Sequence, residues 1–113
     1  MGPNKKSVTS INVEKIGNID KFIHEPSRLK ILAHLYTLKV TDFVYLKRVT
    51  GFTWGRLSSH LDKLEGVDYI QLEKKLVSKS KSGKKTPTTY IKLTKIGKKA
   101  FESYTDSMKK IFS

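Results

Sequence analysis

FTWGRLSSHLDKLEGVDYIQLEKKLVSKSKSGKKTPTTYIKL, residues 52–93, decides how the rest of this chain is read. Leu57, Leu61 and Leu64 recur at helical spacing, which predicts an amphipathic helix over 54–65 with Thr53 as its N-cap. The opposite face carries Gly55, Arg56, Ser58, Ser59, Asp62 and Lys63, small near its start and with two cations. Ile70 and Leu72, then Ile91 and Leu93, alternate with polar residues and predict strands over 69–77 and 90–93. Between them 78–89 is polar, with Gly83 and Pro87 as turn residues, so the two strands read as a β-hairpin with a long tip. From Lys74 to Phe101 the chain has ten lysines and no Asp or Glu. A helix able to enter a groove beside a cationic ribbon is the pattern of a DNA-binding surface.

Upstream, Pro26 suits a first helical position, where its missing N–H costs nothing. A helix over Pro26–Leu38 would set Ile31, Leu32, Leu35 and Leu38 on one side. Thr41 or Asp42 is expected to cap a further helix, Phe43–Thr50, with Phe43, Leu46 and Val49 on one face and Gly51 as its stop. Two short helices joined by a tight turn, the second with a polar outer face, make a helix-turn-helix. Ile16, Ile19 and Ile23 predict another short helix within 11–24, weakened by Gly17. Downstream, Thr94 caps a helix over 95–112, on which Gly97, Phe101, Tyr104, Met108 and Ile111 form a heptad-like seam. A helix of about 18 residues is ~27 Å long, more than a body this small needs. The seam, with Ile16 and Ile19, is therefore expected to pair with a second copy of the chain.

Composition sets the bounds. The 113 residues suit one small domain over 11–113, with 1–10 as a disordered lead-in; the hydrophobic share of 37% supports only a thin core. A formal net charge of +13 calls for a polyanionic partner. With no cysteine there is no disulfide, iron–sulfur cluster or thiolate metal site. The three histidines, His24, His34 and His60, stand at no metal-ligand spacing, so no metal is expected. No signal-like apolar region opens the chain, and no apolar run approaches the ~20 residues that span a bilayer. A cytoplasmic, nucleoid-associated protein without membrane contact is expected. There is no phosphate-binding glycine loop, nucleophile elbow or paired carboxylate set, so neither an enzyme nor a cofactor is expected.

The candidate residues divide by role. Gly55, Ser58 and Ser59 allow close approach to DNA, and Arg56 can reach guanine O6 and N7 in bidentate fashion. Thr53 and Lys63 border the same face. Trp54 is read as packing against Phe52 and the hairpin, with a thymine methyl or sugar as the alternative contact. His60 donates to a phosphate or to a backbone carbonyl; both readings stay open. Lys47 and Arg48 of the preceding helix, with Lys79, Lys81, Ser82, Gly83, Lys84, Lys85 and Thr86 of the hairpin tip, would hold the phosphate backbone. Ile16, Ile19, Phe101, Tyr104, Met108 and Ile111 are the candidate dimer contacts.

The segments HEPSRLKIL (24–32), GFTWGRLSSHLDKLE (51–65), YIQLEK (69–74) and LTKIGKKAFESY (93–104) resemble the winged-helix transcriptional regulators of the ArsR/MarR type, above all small archaeal-like members. The resemblance covers about residues 20–112. It implies a mainly helical α+β fold, a winged helix-turn-helix with a two- or three-stranded β wing and a C-terminal dimerisation helix. It also implies a recognition helix over 53–63, a wing over 74–90, and a homodimer on pseudo-palindromic double-stranded DNA that usually represses transcription. Two departures stand out. Asp68 occupies a position where many members have Gly, which leaves Gly66 as an alternative helix stop. Metal-sensing members use cysteines, so that switch does not carry over, and any small-molecule effector is unspecified. A sequence-neutral chromatin or RNA-binding protein, or a winged helix used for protein contact, are the alternative functions.

Overall fold

The computed structural model describes residues 20–78 and 83–112. Four helices and three strands follow in the order α1 (Pro26–Leu38), β1 (Val40–Asp42), α2 (Phe43–Thr50), α3 (Trp54–Gly66), β2 (Ile70–Ser78), β3 (Lys85–Leu93) and α4 (Lys95–Ile111). The lead-in 1–10, most of the expected first helix with Ile16 and Ile19, and Lys79, Lys81 and Ser82 of the tip lie outside the described residues.

Each helix begins on a side-chain cap, which supplies an acceptor to an N–H that the helix itself leaves unpaired. Glu25 accepts from Arg28 N at 2.9 Å, with Pro26 opening α1. Asp42, rather than Thr41, accepts from Tyr45 N at 2.8 Å. Thr53 accepts from Arg56 N at 3.1 Å, and Thr94 from Gly97 N at 2.9 Å. Gly51 ends α2 in the left-handed conformation, φ 74°, and returns its N–H to Lys47 O at 3.0 Å. Asp68 also stands left-handed, at φ 62°, two residues beyond the end of α3 at Gly66. Thr94 Oγ1 donates to the Asp68 carbonyl at 2.6 Å and so ties this turn to the start of α4.

The apolar stripes meet in one core. Ile31, Leu32 and Leu35 of α1, Leu46 of α2, and Leu57, Leu61 and Leu64 of α3 close over Ile70 and Ile91 of the sheet. Leu38 does not join them: it is 41% exposed, because α1 ends there and the chain turns through Lys39 at φ 69°. The end of the expected first helix is a turn, Asp20 to His24, in which the Asp20 carboxylate receives the Phe22 and Ile23 N–H groups. Ile23 is buried in this same core.

The sheet is antiparallel in the order β1-β3-β2. Strand β1, too short to show alternation, pairs Val40–Asp42 with Lys92, Ile91 and Tyr90. The hairpin is longer than its sequence pattern suggests. β3 starts at Lys85, and Pro87, expected in a turn, lies opposite Leu76 within the ladder. β1 covers only Tyr90 to Lys92, so Pro87 sits where the far edge of β3 has no strand beside it, a position proline tolerates. Ile70 and Leu72 share a face with Leu93 and Ile91 and pack on the helices.

The seam on α4 faces its own chain. Gly97 is buried, Tyr104 is 5% exposed and belongs to the core, and Ile111 is 3% exposed. Tyr104 Oη and His24 Nδ1 lie 2.8 Å apart. Phe101 and Met108 are half-buried against the same core, and Phe101 packs on Tyr36 with ring centroids 5.0 Å apart. Tyr104 and Ile111 are thus already covered within one chain, whereas Phe101 and Met108 keep part of their surface open.

Candidate nucleic-acid interface

Helix α3 is held by its three leucines, so the other face is fixed outward. Thr53, Trp54, Gly55, Arg56, Ser58, Ser59, Asp62 and Lys63 are all exposed. Nothing lies within 4 Å of where a Gly55 side chain would begin, so the helix backbone is open to close approach there. The Thr53 hydroxyl is committed to its cap, which leaves its second lone pair and its proton for other contacts.

Arg56 points along the surface rather than straight out. Its guanidinium lies 4.2 Å from the Phe52 ring centroid, and Nη2 donates to Ser27 Oγ at 2.5 Å. Ser27 is buried in the first turn of α1, twenty-nine positions earlier in the chain. Asp62, on the same helix face, is not its partner; Ser27 is. No sequence signal marks Ser27, because only the packing of α1 on α3 brings it there. To read a base Arg56 must give up this bond and the ring contact.

Trp54 stacks on Phe43 of α2, not on Phe52, with centroids 5.1 Å apart and planes 9° from parallel. It remains 57% exposed, and Lys47 Nζ stands 5.0 Å from its ring centroid. Phe43 is readable from sequence only as a core residue of α2; its second role follows from how close the starts of α2 and α3 come. Phe52 is instead buried, beneath Arg56 and with Lys30 Nζ 5.6 Å away.

His60 is half-buried on the flank of α3. Its Nδ1 is buried without a hydrogen-bond partner. Burial holds its pKa below the usual histidine value, Glu25 opposes that shift, and Arg28, Lys63 and Arg56 add to it. The ring is thereby biased toward its neutral form within a cationic neighbourhood, a form that still carries one N–H donor.

The flanks are basic. Lys47 is half-buried and Arg48 exposed on α2, where Arg48 lies 5.9 Å from the Tyr45 ring. On the hairpin Lys74, Lys75, Gly83, Lys84, Lys85 and Thr86 are exposed. Lys75 reaches Glu73 at 3.7 Å, an exposed pair of small energetic weight. Gly83, at φ 78°, takes the left-handed turn the tip needs. Among the described residues no group of three or more His, Cys, Asp or Glu could hold a metal ion, and no helix is long and apolar enough to cross a membrane.

Comparison with known proteins agrees with this geometry. Residues 27–112 match the family described as winged helix DNA-binding domain. An uncharacterized protein of Methanocaldococcus jannaschii is 37% identical over 84 residues, covering 74% of this chain and 85% of that protein. The fold is similar to a transcriptional regulator homologue from Pyrococcus horikoshii OT3, with a TM-score of 0.77, 24% identity, and 87% of this chain and 93% of that chain covered. It is also similar to wild-type apo MarR from E. coli, with a TM-score of 0.60, 18% identity, and 96% and 78% covered. A MarR mutant from E. coli complexed with operator DNA matches with a TM-score of 0.54, 19% identity, and 88% and 75% covered. With the family match spanning 27–112, the chain belongs to the winged-helix DNA-binding domain family.

Proposed function

We propose that this chain is a sequence-specific regulator of transcription, a repressor, that binds double-stranded DNA as a homodimer in the cytoplasm. The observation that carries this reading is the exposed face of α3, with Gly55, Arg56, Ser58, Ser59 and Lys63 outward between two basic flanks. In this reading α3 enters the major groove and its first two turns meet base edges. Lys47, Arg48 and the wing, including Lys79, Lys81, Ser82, Gly83, Lys84, Lys85 and Thr86, neutralise phosphates on either side. Neither a cofactor nor a reaction is assigned to it.

Arg56 tests the specificity. Arg56→Ala lowers affinity for the preferred duplex by about 1–3 kcal/mol and relaxes preference at one position of the site. Competition binding against duplexes altered one base pair at a time measures this. An equal loss on every sequence would make Arg56 a backbone contact. That outcome would favour a second reading, sequence-neutral binding, which draws support from the bond that keeps Arg56 on Ser27 in the free chain.

The dimer is proposed through α4 and the segment before α1, with Ile16 and Ile19 contributing. Phe101 and Met108 are only half-buried, and Phe112 at the end of the helix is exposed. Phe101→Asp is expected to give monomers in sedimentation velocity with the helical circular dichroism retained. Folded Phe101→Asp dimers would place the interface elsewhere.

A further inference from the structure

A slot of about 320 Å³ opens beside the exposed face of α3, lined by Phe43, Val44, Trp54, Pro87, Thr88 and Thr89. It is bounded by the starts of α2 and α3 on one side and by the middle of β3 on the other. It therefore lies between the helix proposed to enter the major groove and the wing proposed to lie against the neighbouring backbone. In that reading a DNA strand running from one to the other would cross this slot.

The chemistry of the walls selects what fits. Val44, Pro87 and the two aromatic rings make most of the lining apolar, and Thr88 and Thr89 alone carry hydroxyls, too few to pair the donors and acceptors of a base edge. A deoxyribose presents mostly C–H groups and loses little there. Lys47, with its ammonium 5.0 Å from the Trp54 ring centroid, provides a cation at the rim for a phosphate, and Lys85 stands two residues before Pro87 on β3. Thr88 is a second, independent sign. It is 6% exposed, and its hydroxyl oxygen is buried with no hydrogen-bond partner. Thr88 is itself one of the residues that line the slot.

We propose that this slot seats one sugar–phosphate unit of bound duplex DNA, with the deoxyribose against Trp54 and a flanking phosphate on Lys47. The proposal rests on the duplex-binding reading above and adds to it a contact that is blind to base sequence. It makes Trp54 a positioning residue that sets where along the backbone α3 enters.

Trp54 is the chain's single tryptophan, so its emission reports on the slot directly. A fluorescein-labelled duplex of random sequence is titrated at low salt, with anisotropy and Trp54 emission read in the same cuvette. Emission is expected to shift to the blue, and acrylamide quenching to fall severalfold, in step with the anisotropy. Trp54→Ala is expected to weaken binding about tenfold on preferred and random duplexes alike. Trp54→Phe should keep most of the affinity. Rising anisotropy with Trp54 as quenchable as in the free protein would overturn the proposal and leave duplex binding standing. So would a Trp54→Ala loss confined to one preferred sequence, which marks a base contact, or equal protection of Trp54 by inorganic polyphosphate, which has the charge without the sugar. A flat anisotropy trace would remove the duplex reading itself, and the slot's occupant with it.

Discussion

Gly97→Ala lowers the thermal midpoint by roughly 10 °C, measured by circular dichroism, and weakens duplex binding with it. A Cβ at Gly97 would land on the Tyr69 carbonyl oxygen and stand 2.8 Å from the Tyr69 carbonyl carbon and 2.9 Å from Leu93 Cδ1. Two of those three atoms belong to the backbone and cannot turn aside. The neighbourhood is also fully committed: Thr94 N donates to the same Tyr69 carbonyl at 3.0 Å, and Tyr69 N donates to Leu64 O at 3.0 Å. Thr94 Oγ1 adds its bond to Asp68 O and accepts from Gly97 N. Overpacking of this kind costs about 1–3 kcal/mol, and backbone clashes fall at the upper end. The joint links the end of α3, the start of β2 and the first turn of α4. Prying it open changes the angle between the recognition helix and the wing, which couples stability to binding. A Gly97→Ala protein with an unchanged midpoint would mean that α4 is not seated on Tyr69.

The second large effect is on salt dependence. Replacing Lys81, Lys84 and Lys85 with alanine is expected to reduce the slope of log K against log salt by about 2.7 per protomer, at ~0.9 for each phosphate that is no longer neutralised. Near ~0.1 M salt that amounts to a loss of several hundredfold in affinity. The loss should be the same for every duplex sequence, because lysines on a ribbon act as point charges on phosphates and read no base edge. Lys84 and Lys85 are exposed beside the left-handed Gly83, and β3 is paired with β2 from its first residue, Lys85 opposite Ser78. An unchanged slope in a salt titration would detach the wing from the DNA and leave its lysines as a solubilising edge.

How far the sequence reveals this molecule depends on what each signal measures. Caps and periodicity are local, so α1, α2, α3 and α4 begin where Pro26, Asp42, Thr53 and Thr94 place them, and α2 stops at Gly51. The hairpin is legible only where its faces differ in polarity. Lys85 to Thr89 reads as loop because both faces there are polar or open, yet the ladder with Leu76, Val77 and Ser78 continues through it. β1 is three residues long and exists only because β3 is beside it. The α4 seam shows that one face of that helix is apolar; it does not say which surface covers it, and Tyr104 and Ile111 turn out to be covered in the single chain. Arg56 is exposed as its spacing requires, but its tie to Ser27 joins residues far apart in sequence and leaves no trace in either segment.

The most direct test of the central claim is selection of bound fragments from a pool of random double-stranded DNA at moderate salt. A homodimer that presents two copies of α3 to successive major grooves is expected to enrich an inverted repeat with half-sites about one helical turn apart, ~34–36 Å centre to centre. Arg56→Ala should blur one position in each half-site. A selection that recovers no common sequence from a protein that still binds the pool would contradict base reading by α3.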